Sequence, residues 1–425
     1  MKGFTALRIA LRHLRSRAFQ TFSVVSITAF SAGLAVALFL LAQGLRLGLI
    51  RAAEPFDLIV GAKGSPYQLV LNTVFLQDVP VGNIPWENCA ALSDDARVGF
   101  AAPLGFGDSY RGYPVVGTTP DILNVRVRAS DPPWLRIGEG RWCFGESEFE
   151  AVLGARAAAE TGLRVGDVFQ SSHGVVQSSH GLAAGGGYGH KHEEKYRVVG
   201  IAETVHGPYD RAIFVPLGVL WKIHDPHHAH EDEEDGHAHE HGEAEEAHDR
   251  EVTAILVHPK SYTDAYSLAV SFQRSADKQL VFPAQTVVRL FSLMGRGEAF
   301  LSAVVWAVGG CALLTVLLVL YWSGAARGRE RALLHVLGVP RRTLVFISWL
   351  EGTAALLAGT LLGELAGRAG AGAVFALLSR TTAVTPAVPL TWQECLAPAV
   401  FLCAGSLGSL AAAWNGSRTH MERLG

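Results

Sequence analysis

Little in this sequence offers itself as catalytic machinery. No Gly-x-x-x-x-Gly-Lys-Ser/Thr segment occurs, so the chain does not hydrolyse ATP itself. Gly185-Gly186-Gly187 reads as a flexible loop, not a phosphate cradle. No His-Glu-x-x-His occurs either, and the order His239-Glu240-His241 does not set two metal ligands one helical turn apart. A basic excess is also missing. The net charge is −3 over 425 residues, and no long basic face lies outside the flanks of the apolar segments, which excludes a nucleic-acid partner. Cysteine is scarce, with 5 in the chain. Cys311, Cys395 and Cys403 fall in apolar helices and read as small core residues. Cys89 and Cys143 fall in the polar middle block, where a disulfide is open to them, but spacing alone does not fix their separation.

Charge is missing from whole stretches of the chain. Ala18 to Leu45 has none, and its 28 residues are long enough to cross a hydrocarbon core of about 30 Å with some tilt. Ala299 to Ala326 is a second uncharged run. Thr343 to Gly363 is a third, interrupted by Glu351, and Cys395 to Ser417 is a fourth. A carboxylic acid within a span is costly and belongs in a bundle interior. Gly359, Gly363 and Gly367, with Ala366, Ala369 and Ala371, predict close helix approach.

Met1 to Arg17 is basic and amphipathic, with Phe4, Leu7, Leu11 and Leu14 at helical spacing. Lys2, Arg8, Arg12, Arg15 and Arg17 form one basic group, Arg327, Arg329, Arg331, Arg341 and Arg342 a second, and Arg418 and Arg423 a third. With four spans all three groups fall on the cytoplasmic side.

The expected fold class is therefore an integral membrane α-helical protein with four transmembrane helices in a 1+3 layout and a large extracytoplasmic α+β domain. Residues 1–17 are a cytoplasmic amphipathic helix touching membrane lipid, 18–45 the first span and 46–297 the outer domain. Residues 298–326 form the second span, 327–342 a cytoplasmic loop and 343–363 the third span. Residues 364–394 form an extracytoplasmic loop, 395–417 the fourth span and 418–425 a cytoplasmic tail. Both termini are expected in the cytoplasm, and the protein in the inner membrane of a two-membrane cell.

In the middle block, short apolar runs bounded by Gly and Pro predict strands over Asp57–Gly61, Tyr113–Gly117, Arg197–Ile201, Ala212–Pro216 and Thr253–Val257. Helices are predicted over Trp86–Leu92, Ser147–Thr161 and Ser261–Gln273, with Gly162 closing the second.

Two insertions interrupt this pattern, and neither has the composition to bury a core. Residues 171–192 are rich in Gly and Ser and carry His173, His180, His190 and His192. Residues 224–251 carry His224, His227, His228, His230, His237, His239, His241 and His248 among many acids. Neutral imidazole is the commonest protein ligand for zinc, copper or nickel, and carboxylates complete the shell. The second tract is predicted to bind a divalent metal, zinc first. The first tract is a possible second cluster, and His206 or His258 a contributor. A solvated acidic loop and a pH-sensing loop are the alternatives.

The N-terminal ALRIALRHLRSRAFQTF, the segment GRERALLHVLGVPRRTLVFISWLEG, and the 1+3 layout together resemble the FtsX/MacB-type ABC transporter permeases, which include the LolC/LolE type. Asp57-Leu-Ile-Val-Gly-Ala-Lys-Gly-Ser-Pro66 is similar to a segment of one permease subgroup. The resemblance implies a MacB-like outer domain, a separate cytoplasmic ABC ATPase as partner, and a homodimer or pairing with a related permease. It also implies that Arg329, Glu330, Leu333, Leu334, Leu337 and Gly338 form the element that couples to the ATPase. The histidine tracts depart from that family's better-known members. They favour a permease acting on zinc or a zinc-linked cargo. A lipoprotein or small-molecule extrusion permease is one alternative, and a non-transporting mechanotransducer acting on a periplasmic partner is another.

Overall fold

In a computed structural model, Arg12 and residues 15–77, 79–144, 149–173, 194–224, 250–293, 295–326, 333–382 and 392–418 are described. The chain divides into two units. One comprises Met1–Arg46, Met294–Leu377 and Pro386–Gly425; the other comprises Leu47–Leu293 with Leu378–Thr385.

The second unit is α+β, as expected. Its strands are β1 (Leu58–Ala62), β2 (Ile84–Pro85), β3 (Val98–Tyr110), β4 (Tyr113–Thr118), β5 (Ile137–Gly140) and β6 (Glu150–Leu153). They continue as β7 (Val168–Phe169), β8 (Ser172–His173), β9 (Tyr196–Ala202), β10 (Ile213–Pro216), β11 (Glu251–Val252), β12 (Ala254–Pro259) and β13 (Lys278–Val281). The main sheet runs β13-β1-β12-β3-β4-β10-β6-β9-β5, with β7 beside β9 and β8 beside β3. The pairs β4–β10 and β6–β9 are parallel, and the other ladders are antiparallel. All five predicted strands are present.

Alternation along the strands sorts the apolar residues onto two faces. Ile59, Leu104, Val116, Phe214 and Leu256 pack in one core with Phe56 and Tyr209. Leu58, Val60, Val115, Ile213, Ile255 and Val257 pack in the other. Cys143 belongs to the first core and Cys89 to the second. Both are buried free thiols, so the disulfide left open by the sequence is not formed. The sheet lies between their two cores.

Of the helices predicted in this unit, Glu87–Ser93 and Tyr262–Gln273 match their windows. The third does not. Residues 150–153 of the Ser147–Thr161 window are the strand β6, and the helix is confined to Ala155–Thr161. All four residues of β6 are buried between β10 and β9, so tertiary burial overrides the helical propensity of an Ala-rich run. Gly154 marks the break, because a Cβ there would sit 2.5 Å from the Asp210 carbonyl. Gly162 closes the helix at φ 75°, as predicted.

The long helices span Ala18–Ala53, Gly295–Ala326, Arg341–Thr382 and Trp392–Arg418. Two segments, Ala18–Ala53 and Arg341–Leu378, are long and apolar enough to cross a membrane. The other two helices carry shorter apolar stretches, Trp306–Val319 and Pro398–Trp414. Two predicted boundaries move. The first helix passes Leu45 and reaches Ala53, because Leu49, Ile50, Ala52 and Ala53 pack into the first sheet core. The predicted loop 364–394 is helical as far as Thr382. Its charges do not break the helix, since Arg368 Nε donates to Glu364 Oε1 at 2.8 Å one turn away.

The small residues do what their spacing predicts. A Cβ on Gly359 would lie 2.6 Å from Thr28 Cβ, on Gly363 2.6 Å from the Ala29 carbonyl, and on Gly367 2.6 Å from the Gly33 carbonyl. Backbone thus rests on backbone between Ala18–Ala53 and Arg341–Thr382. Glu351 is buried, as a carboxylic acid in an apolar helix should be. Nearby, Trp349 Nε1 donates to Ser406 Oγ at 3.0 Å.

Candidate functional site

Strand β3 is the longest in the sheet, and it carries an irregularity near its end. Phe106 pairs with Val116, but three residues later Ser109 pairs with Pro114, two residues back on β4. One extra residue is therefore accommodated around Gly107-Asp108. Such a bulge re-aims a side chain. Past it, β3 takes β8 as a neighbour, with Asp108 opposite His173 and Ser109 opposite Ser172.

The Asp108 side chain is 0% exposed. An ionised carboxylate in that position needs partners, because desolvation costs several kcal/mol. Ser171 Oγ donates to Asp108 Oδ2 at 2.9 Å. His224 Nε2 lies 3.3 Å from Oδ1, and His224 Nδ1 lies 2.8 Å from the Leu220 carbonyl. The carboxylate raises the His224 pKa above the usual imidazole value, burial opposes this, and the Leu220 carbonyl adds to the rise. Tyr196 is fully buried, and its hydroxyl has no hydrogen-bond partner among the described residues. Burial first, then the Asp108 and Glu194 charges, pushes its phenol pKa up.

His224 is the last residue of the helix Leu217–His224, whose Leu217, Val219 and Leu220 are buried under the sheet. The same helix holds the far end of the second insertion. Trp221 Nε1 donates to the Glu251 carbonyl at 2.7 Å, and the Arg250 guanidinium lies 5.5 Å over the Trp221 ring. The chain thus leaves at His224 and returns at Arg250 against one side chain. The first insertion has an equally narrow root: it leaves after His173, and Tyr196 on its return pairs with Phe169 of β7.

Of the twelve tract histidines predicted as ligands, His224 is described with its side chain, which the fold brings to Asp108, and His173 by its backbone register in β8. His180, His190, His192, His227, His228, His230, His237, His239, His241 and His248 lie outside the described residues. Among the described residues no group of three or more His, Cys, Asp or Glu is arranged to hold a metal. His258 is engaged elsewhere, with Nδ1 2.6 Å from Asp57 Oδ2 and its ring stacked on Phe100 at 5.2 Å. His206 has φ 53° in a turn held by Asp210, which accepts from Thr204 Oγ1 and from the Val205 and Gly207 amides. Sequence reasoning missed Asp108. The signal was Phe106-Gly-Asp-Ser109, a glycine beside an acid inside an apolar run, which marks a bulge.

Of the predicted coupling residues, Arg329 and Glu330 lie outside the described residues. Residues 333–336 are helical and 337–338 turn, with Gly338 at φ 91°. The Gly338 amide donates to the His335 carbonyl at 2.9 Å and the Val339 amide to the Leu334 carbonyl at 3.1 Å, closing the helix before Pro340. Leu333, Val336 and Leu337 are exposed.

No protein-family model matches the chain, and no curated protein sequence matches it. Among solved structures, the extracellular domain of the noncanonic ABC-type transporter YknZ from Gram-positive bacteria is similar at 10% identity and TM-score 0.31, over 53% of this chain and 99% of that one. The periplasmic region of MacB from Actinobacillus actinomycetemcomitans is similar at 12% identity and TM-score 0.33, over 58% of this chain and 98% of that one.

Proposed function

We propose that the chain is the permease subunit of an ABC transporter complex of the FtsX/MacB type, working with a separate cytoplasmic ATPase, and that its α+β unit handles zinc or a zinc-linked cargo. The observation that carries this reading is the order of parts. One long apolar helix precedes an α+β unit with its own double core, and three long helices follow it. The outer surfaces of the helices support insertion in lipid: Phe19, Phe22 and Phe30 on the first and Trp306, Leu314, Leu318 and Trp322 on the second are largely exposed. In water such a surface would be an aggregation liability. All four long helices then span the inner membrane, with both termini in the cytoplasm, in a homodimer or beside a related permease.

The 333–338 segment is the coupling element in this reading. Its exposed leucines and valine give an apolar knob for an ATPase groove, and the turn at Gly338 leads into the helix that begins at Arg341. Closure of the ATPases would pass along the long helices to the α+β unit, where the histidine tracts take metal. Copurification from native membranes tests the reading. The full chain should bring down an ABC ATPase, and Leu337→Asp should abolish that association while leaving the chain in the membrane; an intact complex with the substituted chain would overturn the coupling assignment. Deleting Pro226–His248 should remove most of the zinc bound by the full chain, and unchanged stoichiometry would remove the metal from the reading.

A further inference from the structure

We propose that the face of the Arg341–Thr382 helix that carries the Glu364–Arg368 ion pair is where two copies of this chain meet inside the membrane. This rests on the membrane and homodimer reading above and adds to it a helix face and a charged contact.

The first helix sets the depth. Its uncharged run from Ala18 to Leu45 lies between Arg17 and Arg46, so on the membrane reading its centre, between Ser31 and Ala32, sits at the middle of the hydrocarbon. Gly363 is level with that centre. A Cβ on Gly363 would lie 2.6 Å from the Ala29 carbonyl and 3.0 Å from Ala32 Cβ, and one on Gly33 would lie 3.0 Å from the Gly363 carbonyl. The register holds on either side: Val24 shares a cluster with Ala355 and Leu356, and Leu40 shares one with Ala371 and Phe375. The two helices therefore run side by side in the same direction. Glu364 follows Gly363, and Arg368 comes four residues later, about 6 Å along the axis. Half a hydrocarbon core is about 15 Å, so both charges lie within it.

A carboxylate and a guanidinium at that depth need cover from protein, because lipid tails offer neither hydrogen bonds nor solvation. Arg368 Nε donates to Glu364 Oε1, yet in one protomer 34% of the Arg368 side chain and 22% of the Glu364 side chain stay exposed. Leu361, Leu365, Arg368 and Gly372 recur at four, three and four residues, so they share a helix face. Leu361 and Leu365 are 58% and 66% exposed, and a Cβ on Gly372 would meet nothing within 4 Å. Gly372 and Ala376, both exposed, stand one turn apart, a spacing that lets two helices approach closely. The face carries both signs of charge, so it complements itself. About a twofold axis along the membrane normal, Arg368 faces the turn that carries Glu364 of the partner subunit. Each guanidinium then has a carboxylate on its own helix and one on the facing helix, and the four charges cancel away from lipid. A partner with charge of one sign would leave half of the ion pair uncompensated.

The test uses the full chain in membranes, coexpressed with two different tags. Leu365→Cys and Gly372→Cys should each give an oxidatively crosslinked dimer above the background of the unsubstituted chain. Leu362→Cys, at 52% exposure but turned about 100° round the helix from Leu361, should not. Arg368→Glu should lower copurification of the second tag by more than about 10-fold, since it sets like charges against each other. Glu364→Arg combined with Arg368→Glu should restore it. Membrane fractionation verifies insertion, and where Arg368→Glu does not insert, the cysteine pattern decides. Copurifying tags with a crosslink at Leu362→Cys and none at Leu365→Cys or Gly372→Cys would overturn this face and leave the homodimer standing. Tags that do not copurify would overturn the homodimer and the contact together. A crosslink from Gly372→Cys to a different protein would overturn the second copy as the occupant.

Discussion

In the sheet unit the largest fully buried side chains are Tyr196, Tyr209 and Phe214. Between the long helices, backbone approaches backbone through Gly33, Gly359, Gly363 and Gly367. On the proposed membrane reading, the contrast follows from the solvent of each unit. In water, burying a large ring is the driving force, so Phe56, Trp134, Tyr209 and Phe214 gather with ring centroids 5.0 to 6.2 Å apart. In lipid, an apolar side chain gains nothing by leaving the solvent, and helices associate by close backbone packing. The exposed residues agree: large apolar side chains crowd the outer faces of the helices, while the sheet unit turns its own inward to two cores.

Substitutions that exchange the two strategies separate them. Phe214→Ala should have the largest effect, lowering the stability of the sheet unit by about 3–5 kcal/mol in denaturant unfolding, because the ring is fully buried against Trp142 and Tyr209. Gly363→Leu should cost about 1–3 kcal/mol by overpacking, since its first carbon already meets the Ala29 carbonyl. It should lower the thermal midpoint of the helical unit without moving the unfolding of the sheet unit. Gly370→Ala, in the same helix but with open space around its Cβ, should be neutral or stabilise by about 0.5–1 kcal/mol. Equal damage from both glycine changes would show that helix propensity, not the crossing, sets the cost.

The smallest effect belongs to the sheet unit's exposed polar contacts. Asp57 raises the His258 pKa through their hydrogen bond, against a smaller opposing effect of burial. The folded value lies above the unfolded one of 6.5, so this stabilisation is complete below pH 6.5 and is lost as pH rises through the folded value. Because the pair is nearly half exposed, the loss should be under about 1 kcal/mol. Stability measured across that pH window should lose this component in His258→Gln, and an unchanged profile would mean the pair contributes nothing.

Much of this was readable along the chain, because some signals are local. Strands β1, β4, β9, β10 and β12 announced themselves as apolar runs between Gly and Pro. Gly162 announced a helix end, and Gly359, Gly363 and Gly367 a close crossing. One misreading is non-local. Glu150–Leu153 is a strand only because β9 and β10 lie on either side of it. Glu364 and Arg368 looked like the polar start of a loop, yet they pair along one helix face.

By itself the sequence determined which segments lack charge, which carry imidazole, and which glycines recur every four residues, because each is a property of neighbours along the chain. Tertiary structure alone decided that Cys89 and Cys143 lie in separate cores, that β8 pairs with β3 at Asp108, and that His224 is brought to the same carboxylate. Those outcomes depend on sheet order and on the bulge at Gly107-Asp108 in β3, and strand pairing across long loops leaves no trace in local composition.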